Sequence, residues 1–342
     1  MAVIKRQWRT WLVVVALLAG VFLLWDREGA AHPGDLTINT ERTFASLDGS
    51  ADDHDGVVNG VLTLHGDLLL DTGGSITCFD PPLPTSAGAC AINLLGDGSL
   101  EMKAGSAILA ENRIDGGAGG DISITVGGDL TLRGPSSPGG TDGALISSRK
   151  LCLSGPCGSA DGGDIRIVVG GVTLDTSVYP AVGVCNTPNG DVLIEKGAAI
   201  RSDSQLQRAG DIAIYAGRNI TINGEVTAQG LQGTTAEGGA ITIDACCDLS
   251  IGDDGVVSSR GADFGADRVH LEACVVTIYG LVESTGVAHT DPKPLCTPPI
   301  RPGKPTTATV CVEIWSGTTV TIDSTGTHKG EVNADTAIPS GG

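Results

Sequence analysis

Large aromatic rings are almost missing from this chain. They make up 3% of its 342 residues, and three of the four tryptophans lie at positions 8, 11 and 25. Basic residues are also scarce, with 21 Lys and Arg against 40 Asp and Glu, a formal charge of −19. A nucleic-acid binder needs a basic face for phosphate contacts, so that class is excluded. No CxxC pair is present and no histidine is spaced near a cysteine as a zinc ligand would be. Glycine does not recur every third residue, which removes collagen. What is present in excess is glycine itself, 51 residues, about twice the usual share. Spread through the chain, it weakens helix interiors and argues against a helical enzyme. Hydrophobic residues at 41%, mostly Val, Ile, Leu and Ala, argue against wholesale disorder.

The first 31 residues read as a targeting segment, either a signal peptide or an uncleaved anchor. Lys5, Arg6 and Arg9 precede an apolar run from Trp11 to Trp25, and Gly29-Ala30-Ala31 supplies small residues for cleavage after Ala31. The run is short for a membrane span, which needs about 20 residues. An exported protein, whether periplasmic, cell-surface or extracellular, is therefore expected. Without the leader the net charge becomes −21.

All ten cysteines lie between Cys78 and Cys311, an even number that suits disulfides in an exported chain. Cys78 and Cys90 flank one proline-rich stretch and Cys296 and Cys311 another. Cys152 and Cys157 bracket Leu153-Ser154-Gly155-Pro156. Each pair closes a loop with little core of its own.

A repeat runs beneath variable loops. Asp121-Ile-Ser-Ile-Thr-Val-Gly-Gly-Asp-Leu-Thr-Leu132 is matched by Asp211-Ile-Ala-Ile-Tyr-Ala-Gly-Arg-Asn-Ile-Thr-Ile222 and by Ala240-Ile-Thr-Ile243 followed by Leu249-Ser-Ile251. Weaker copies place first apolar positions at 62, 92, 122, 165, 192, 212, 241, 269 and 312. The shortest interval, from 192 to 212, leaves room for short strands and turns but not for a helix. Period-two alternation marks strands with one buried face. A six-residue offset recurs from Ile124 to Leu130, Ile214 to Ile220, Ile243 to Leu249 and Ile314 to Val320, where a sandwich would show hairpins. The expected fold is all-β: a right-handed parallel β-helix, or β-solenoid, of about nine coils with variable loop insertions. Coils stacked at about 4.8 Å give a core roughly 40 Å long. Glycines mark the tight corners, and a narrow aliphatic tube leaves little volume for rings. The predicted organisation is a lead-in cap over 32–60, the β-helix over 61–325 and a C-terminal tail over 326–342. The tail carries no apolar cap, so it is either the end of a fragment or an end that self-associates. In adjacent coils Cys247 and Cys274 fall at positions that can stack within disulfide reach; a Cys246 or Cys247 to Cys274 bridge would staple two coils and leave Cys185 to the remaining neighbour or free, and the spacing leaves the connectivity open.

The segment Gly210-Asp-Ile-Ala-Ile-Tyr-Ala-Gly-Arg-Asn-Ile-Thr-Ile-Asn-Gly224 resembles the repeats of filamentous-haemagglutinin-type adhesins and autotransporter passengers. The resemblance covers most of 60–325. It implies Gram-negative export and a surface or secreted role, and carries no catalytic residue with it.

Candidate sites are few. Asp52, Asp53 and Asp55, with His54, form the densest set of oxygen ligands and are the candidates for Ca²⁺, in what reads as a polar loop. No other cofactor is expected. Gly116-Gly-Ala-Gly-Gly-Asp121 matches the first six positions of a calcium-binding nonapeptide, but Ser123 stands where an aliphatic residue belongs and no tandem copy follows. Thr63, Thr131, Thr173, Thr221, Thr277 and Thr321, with Ser250, are expected to form one outward row of the second strands. The seven aromatic residues after the leader show no common register. The expected function is non-enzymatic: an exported structural or adhesin-like β-helix that binds a surface or matrix component or self-associates through its ends. A secreted polysaccharide-active enzyme, a lyase or hydrolase, is the alternative.

Overall fold

The computed structural model describes residues 35–337 except 45–46, 48–53, 59, 79–90, 113–117, 138–141, 151–160, 177–181, 186–187, 233–235, 262–265, 288–311, 324–329 and 334–335. Every regular element among them longer than a single turn is a β-strand. The chain winds as a parallel β-helix, and its strands stack in three columns.

The first column runs Val61–Leu64, Ile92–Gly96, Ile122–Val126, Ile165–Val169, Ile212–Ala216 and Ile241–Ala245, then the first halves of Val269–Ile278 and Val312–Ile322. The second runs Leu36–Ile38, Leu68–Leu70, Leu100–Met102, Leu130–Leu132, Val192–Ile194, Ile220–Ile222 and Asp248–Ile251, then the second halves of the same two long strands. The third runs Glu41–Thr43, Ser75–Thr77, Ala107–Leu109, Leu145–Ser147, Ala199–Arg201, Glu225–Gln229, Val256–Arg260, Leu281–Val287 and Glu331–Asn333. Nine rungs are stacked, numbered here from rung 1 at Leu36–Thr43 to rung 9 at Val312–Asn333.

Alternation decides which side chains enter the tube. Ile122, Ile124 and Val126 stack on Ile165, Ile167 and Val169, and all six are buried. Leu130 and Leu132 do the same on Val192 and Ile194. Each buried aliphatic side chain contributes about 1.5–3 kcal/mol, repeated rung after rung in one continuous cluster.

The expected register holds at Ile92, Ile122, Ile165, Ile212, Ile241, Val269 and Val312, which form one row. Two positions depart from it. Leu62 pairs with Leu94, two residues along. Val192 does not begin a coil: it stacks between Leu130 and Ile220 in the second column. The interval 192–212 is thus part of rung 5, whose first strand is Ile165–Val169. The periodicity misled because strands of both columns share the apolar-x-apolar signature. The number of rungs survives because Leu36–Ile38 pairs in parallel with Leu68–Leu70, so the expected lead-in already carries rung 1. Strand Glu331–Asn333 likewise continues the third column within the expected tail.

Between the two columns of rung 5 the chain leaves the helix as an antiparallel hairpin, Val172–Asp175 with Val182–Cys185. It departs at Gly170 and returns at Asn189-Gly190. Both glycines have positive φ, 72° and 78°.

Two features absent from the sequence pattern hold the rungs together. The first is a seam where the end of the third column meets the start of the first. Ser148, Ser202, Ser259 and Ser284 are buried there, and their hydroxyls donate to the carbonyls of Gly120, Gly163 (2.6 Å), Gly239 (2.7 Å) and Asp267 (2.8 Å). Gly163, Gly210 and Gly239 pass so close to the rung before that a Cβ would strike its backbone. The second feature is a pair of corner ladders. Ahead of the second column, side-chain oxygens of Asp35, Asp67, Ser99, Asp129, Asp191 and Asn219 each accept the backbone N–H of the next rung, over 2.7–3.2 Å. Ahead of the first column, Asp121, Asp164 and Asp211 do the same for Asp164, Asp211 and Ala240. Charge-assisted bonds of this kind are the stronger ones. Seven of the 40 acidic residues are thus engaged in these ladders.

At rung 9 the inward side chains Val320 and Ile322 are 44% and 49% exposed, whereas their rung 8 counterparts Val276 and Ile278 are fully buried.

Candidate functional site

Asp52 and Asp53 lie outside the described residues. Asp55 falls in strand His54–Val58, which pairs antiparallel with Val61–Leu64, so this part of the expected polar loop is a strand. Its side chain is not among those described. Within the nonapeptide-like stretch, Gly119-Gly120 enters the seam, and Asp121 binds the Asp164 N–H. Gly116 and Gly117 lie outside the described residues. No group of three or more His, Cys, Asp or Glu side chains among the described residues converges as a metal site.

The threonine row is real in the second column but has different members. Thr131, Leu193, Thr221, Ser250, Thr277 and Thr321 stack in succession. Thr63 belongs to the first column and Thr173 to the hairpin, so both are corrected out of the row.

The outer face of the first column, in rungs 5 to 9, gathers the chemistry. Val168, Tyr215, Asp244, Glu272 and Trp315 form one row. Two aromatics therefore do share a register, three rungs apart, which the one-dimensional spacing concealed because loop insertions of different length separate them. Beside this row stand Thr242, His270 and Glu313. The His270 ring is buried between two carboxylates: Nε2 lies 3.2 Å from Glu272 Oε2 and Nδ1 lies 3.2 Å from Glu313 Oε2. Trp315 Nε1 donates to the other Glu313 oxygen, and its ring meets His270 edge-on at 6.0 Å. Both ring nitrogens donate only when the imidazole is charged. Burial opposes that charge, but the hydrogen bonds and fields of Glu272 and Glu313 outweigh it and raise the His270 pKa above its ordinary value.

This predicts a pH dependence. A raised folded-state pKa contributes stability that is complete below the unfolded value, about 6.5, and lost as pH rises through the folded one. The urea midpoint should fall as the pH rises above about 6.5, and His270→Gln should flatten that fall. An unchanged slope in the variant would remove His270 as its source.

Over the upstream part of this face runs the hairpin. Gly183 N donates to Asp244 Oδ2 at 2.8 Å, and Cys185 is disulfide-bonded to Cys246 with the Cα atoms 5.8 Å apart. Cys247 and Cys274 are free thiols. The bridge from Cys246 or Cys247 to Cys274 is thus not formed: Cys246 is bonded to Cys185, one of the two neighbours left open for it, and Cys247 and Cys274 both stay reduced. Cys78 is disulfide-bonded. Cys90, Cys152, Cys157, Cys296 and Cys311 lie outside the described residues, so the three loop pairs are not visible as pairs.

A second polar network lies outside the third column. Glu111, almost wholly buried, accepts from Ser147 Oγ at 2.7 Å and from Arg149 Nε and Nη2 at 3.1 and 3.0 Å. Two rungs on, Asp203 accepts from Thr227 Oγ1 at 3.2 Å and Gln229 N at 3.0 Å. Burial pushes the Asp203 pKa up to about 6, against the pull of Gln229 N–H, Arg149, Thr227 and Arg201. Neighbouring carboxylates can serve as acid–base pairs. Here, however, Arg149 occupies the rung between the two carboxylates, where a substrate atom would have to sit.

Comparison with family models, with curated proteins and with solved structures gives no match.

Proposed function

We propose that the chain is an exported, non-enzymatic β-helix with a structural or adhesin-like role. The observation that carries this reading is the use made of the charged side chains. The corner aspartates are spent on backbone N–H groups of the next rung, as described above. Others bind across rungs: Arg133 joins Glu101 at 2.9 Å and Glu195 at 2.8 Å, Arg201 joins Glu225 at 2.6 Å, and Arg208, paired locally with Asp211 at 2.7 Å, reaches Asp267 at 2.9 Å. Such exposed pairs add little each. Their arrangement along the stack suits a rod whose surface chemistry serves its own cohesion. Export is proposed from the leader and the cysteine content. The partner is proposed to be a cell-surface or matrix component, met by the outer rows or by the open rung 9 end.

A secreted polysaccharide-active enzyme is the second reading, favoured by one observation, the grouping of Trp315, His270, Glu272 and Glu313 on one face. Incubation with a panel of acidic polysaccharides, with and without Ca²⁺, separates the two. No turnover is expected. Reproducible cleavage that is lost in Asp52→Asn/Asp53→Asn or in His270→Gln would overturn the structural reading.

A further inference from the structure

The hairpin of rung 5 is held by one covalent bond, Cys185–Cys246, and the thiol of a third cysteine, Cys274, lies beside the backbone of Cys246. Strand pairing explains how it comes to be there. Ile241–Asp244 pairs with Val269–Glu272, and Asp248–Ile251 with Val275–Ile278. Between these blocks rung 7 has one residue more than rung 8, so Cys246 and Cys247 face Cys274 together. Cys274 N donates to Cys247 O at 2.8 Å, and Cys274 Sγ lies 3.3 Å from Cys246 O. On its other side the pairing with rung 9 shifts register between Ala273 and Val275. Such a bulge re-aims a side chain, and Cys274 is exposed. Its backbone is fixed there: Ser316 Oγ and Thr318 Oγ1 both donate to Cys274 O at 2.8 Å. Gly317 passes beside it and leaves the sulfur uncovered.

We propose that Cys185, Cys246 and Cys274 form a thiol–disulfide exchange centre that latches and releases the hairpin. The Cys274 thiolate attacks Cys246 Sγ, a Cys246–Cys274 bond forms, the Cys185–Cys246 bond breaks, and Cys185 leaves as the thiolate and takes up a proton from water. One disulfide and one thiol are present before and after, so no external oxidant or reductant enters. Adjacent rungs stand about 4.8 Å apart, inside the Cα separation a disulfide spans. In the latched form the hairpin is bonded to rung 7 and Gly183 holds Asp244. In the exchanged form rungs 7 and 8 are stapled, and the hairpin keeps non-covalent contacts such as that of Gly183 with Asp244. The same three sulfurs would exchange with an external dithiol or disulfide, the chemical class of partner this centre fits.

The test is disulfide mapping of the full oxidised chain. Wild-type protein is held without oxidant from pH 6 to 9, acid-quenched, alkylated and digested under non-reducing conditions. Two linked species are expected, Cys185–Cys246 and Cys246–Cys274, interconverting faster as the pH rises because the thiolate is the attacking form. Cys274→Ser should leave only the first, and Cys247→Ser should leave the exchange intact. In Cys185→Ser, oxidation should give Cys246–Cys274 quantitatively. A single species in wild type at every pH would overturn the proposal. So would an exchange that depends on Cys247 and not Cys274, or a Cys246 that stays free in Cys185→Ser.

Discussion

Gly170→Ala should cost the fold at least about 3 kcal/mol and lower its melting temperature by roughly 5 °C. Gly170 has φ 72°, and a Cβ there would collide with the carbonyl oxygen of Asn189. Neither atom has room to yield. Gly170 N donates to Val126 O at 2.9 Å, and Asn189 Nδ2 donates to Gly127 O at 3.1 Å, so both sides of the hairpin base are tied to rung 4. Gly190, also left-handed, packs against Gly170. Gly60→Ala is the internal control. Its φ is 77°, but nothing lies within 4 Å of the added Cβ, so only the left-handed backbone penalty of about 1–2 kcal/mol applies. Thermal melts of the two variants side by side decide the matter. If Gly170→Ala melts no lower than Gly60→Ala, the hairpin base is not a fixed point of the stack.

Asp203→Asn should act in the opposite direction and stabilise the protein by about 3 kcal/mol at pH 8. Asp203 is buried and its pKa stands near 6, above the ordinary 3.8. The sign follows from linkage. A raised folded-state pKa contributes stability that is full below the unfolded pKa and disappears as pH climbs through the folded one. Wild-type protein should therefore lose stability between about pH 4 and pH 6, with no further loss from this group above. Asparagine keeps an oxygen for Thr227 Oγ1 and Gln229 N but carries no charge to desolvate. Chemical denaturation at pH 4, 6 and 8 should show the variant ahead of wild type only at the higher pH values. A variant weaker than wild type at pH 8 would mean that Arg149 and Arg201 require the carboxylate, and that the network is ionic in function.

The two residues differ in how far the sequence announced them. Gly170 belongs to a chain visibly rich in glycine at strand ends, so a corner was legible there. What was not legible is that it closes a hairpin against Asn189, because the contact joins positions nineteen apart across an insertion of unrelated composition. Asp203 gave no signal at all. It is one acidic residue among 40, and its pKa follows from burial by neighbouring rungs. His270 is similar: Glu272 is two residues away, yet Glu313 comes from the next turn of the helix, 43 positions on. The cysteines show the same limit from the other side. The stacking of Cys246 and Cys247 on Cys274 was correctly expected from the repeat. The partner of Cys185 was left open between the remaining neighbour and none, and the hairpin, which the repeat does not describe, settles it as Cys246.

The sequence alone determined the parallel β-helix. Period-two apolar alternation, repeated with glycine corners and almost no rings, is a local pattern, and a narrow stacked tube is the structure that buries it. The tertiary structure decided everything that depends on which rung lies against which. It set Val192 in the second column and Leu36–Ile38 as rung 1. It turned corner aspartates into ladders, brought Tyr215 and Trp315 into one row, and chose Cys185 as the partner of Cys246. The physical reason is common to all of these. Stacking brings together residues separated by whole turns of variable length, and the insertions that set those lengths carry no periodic signal of their own.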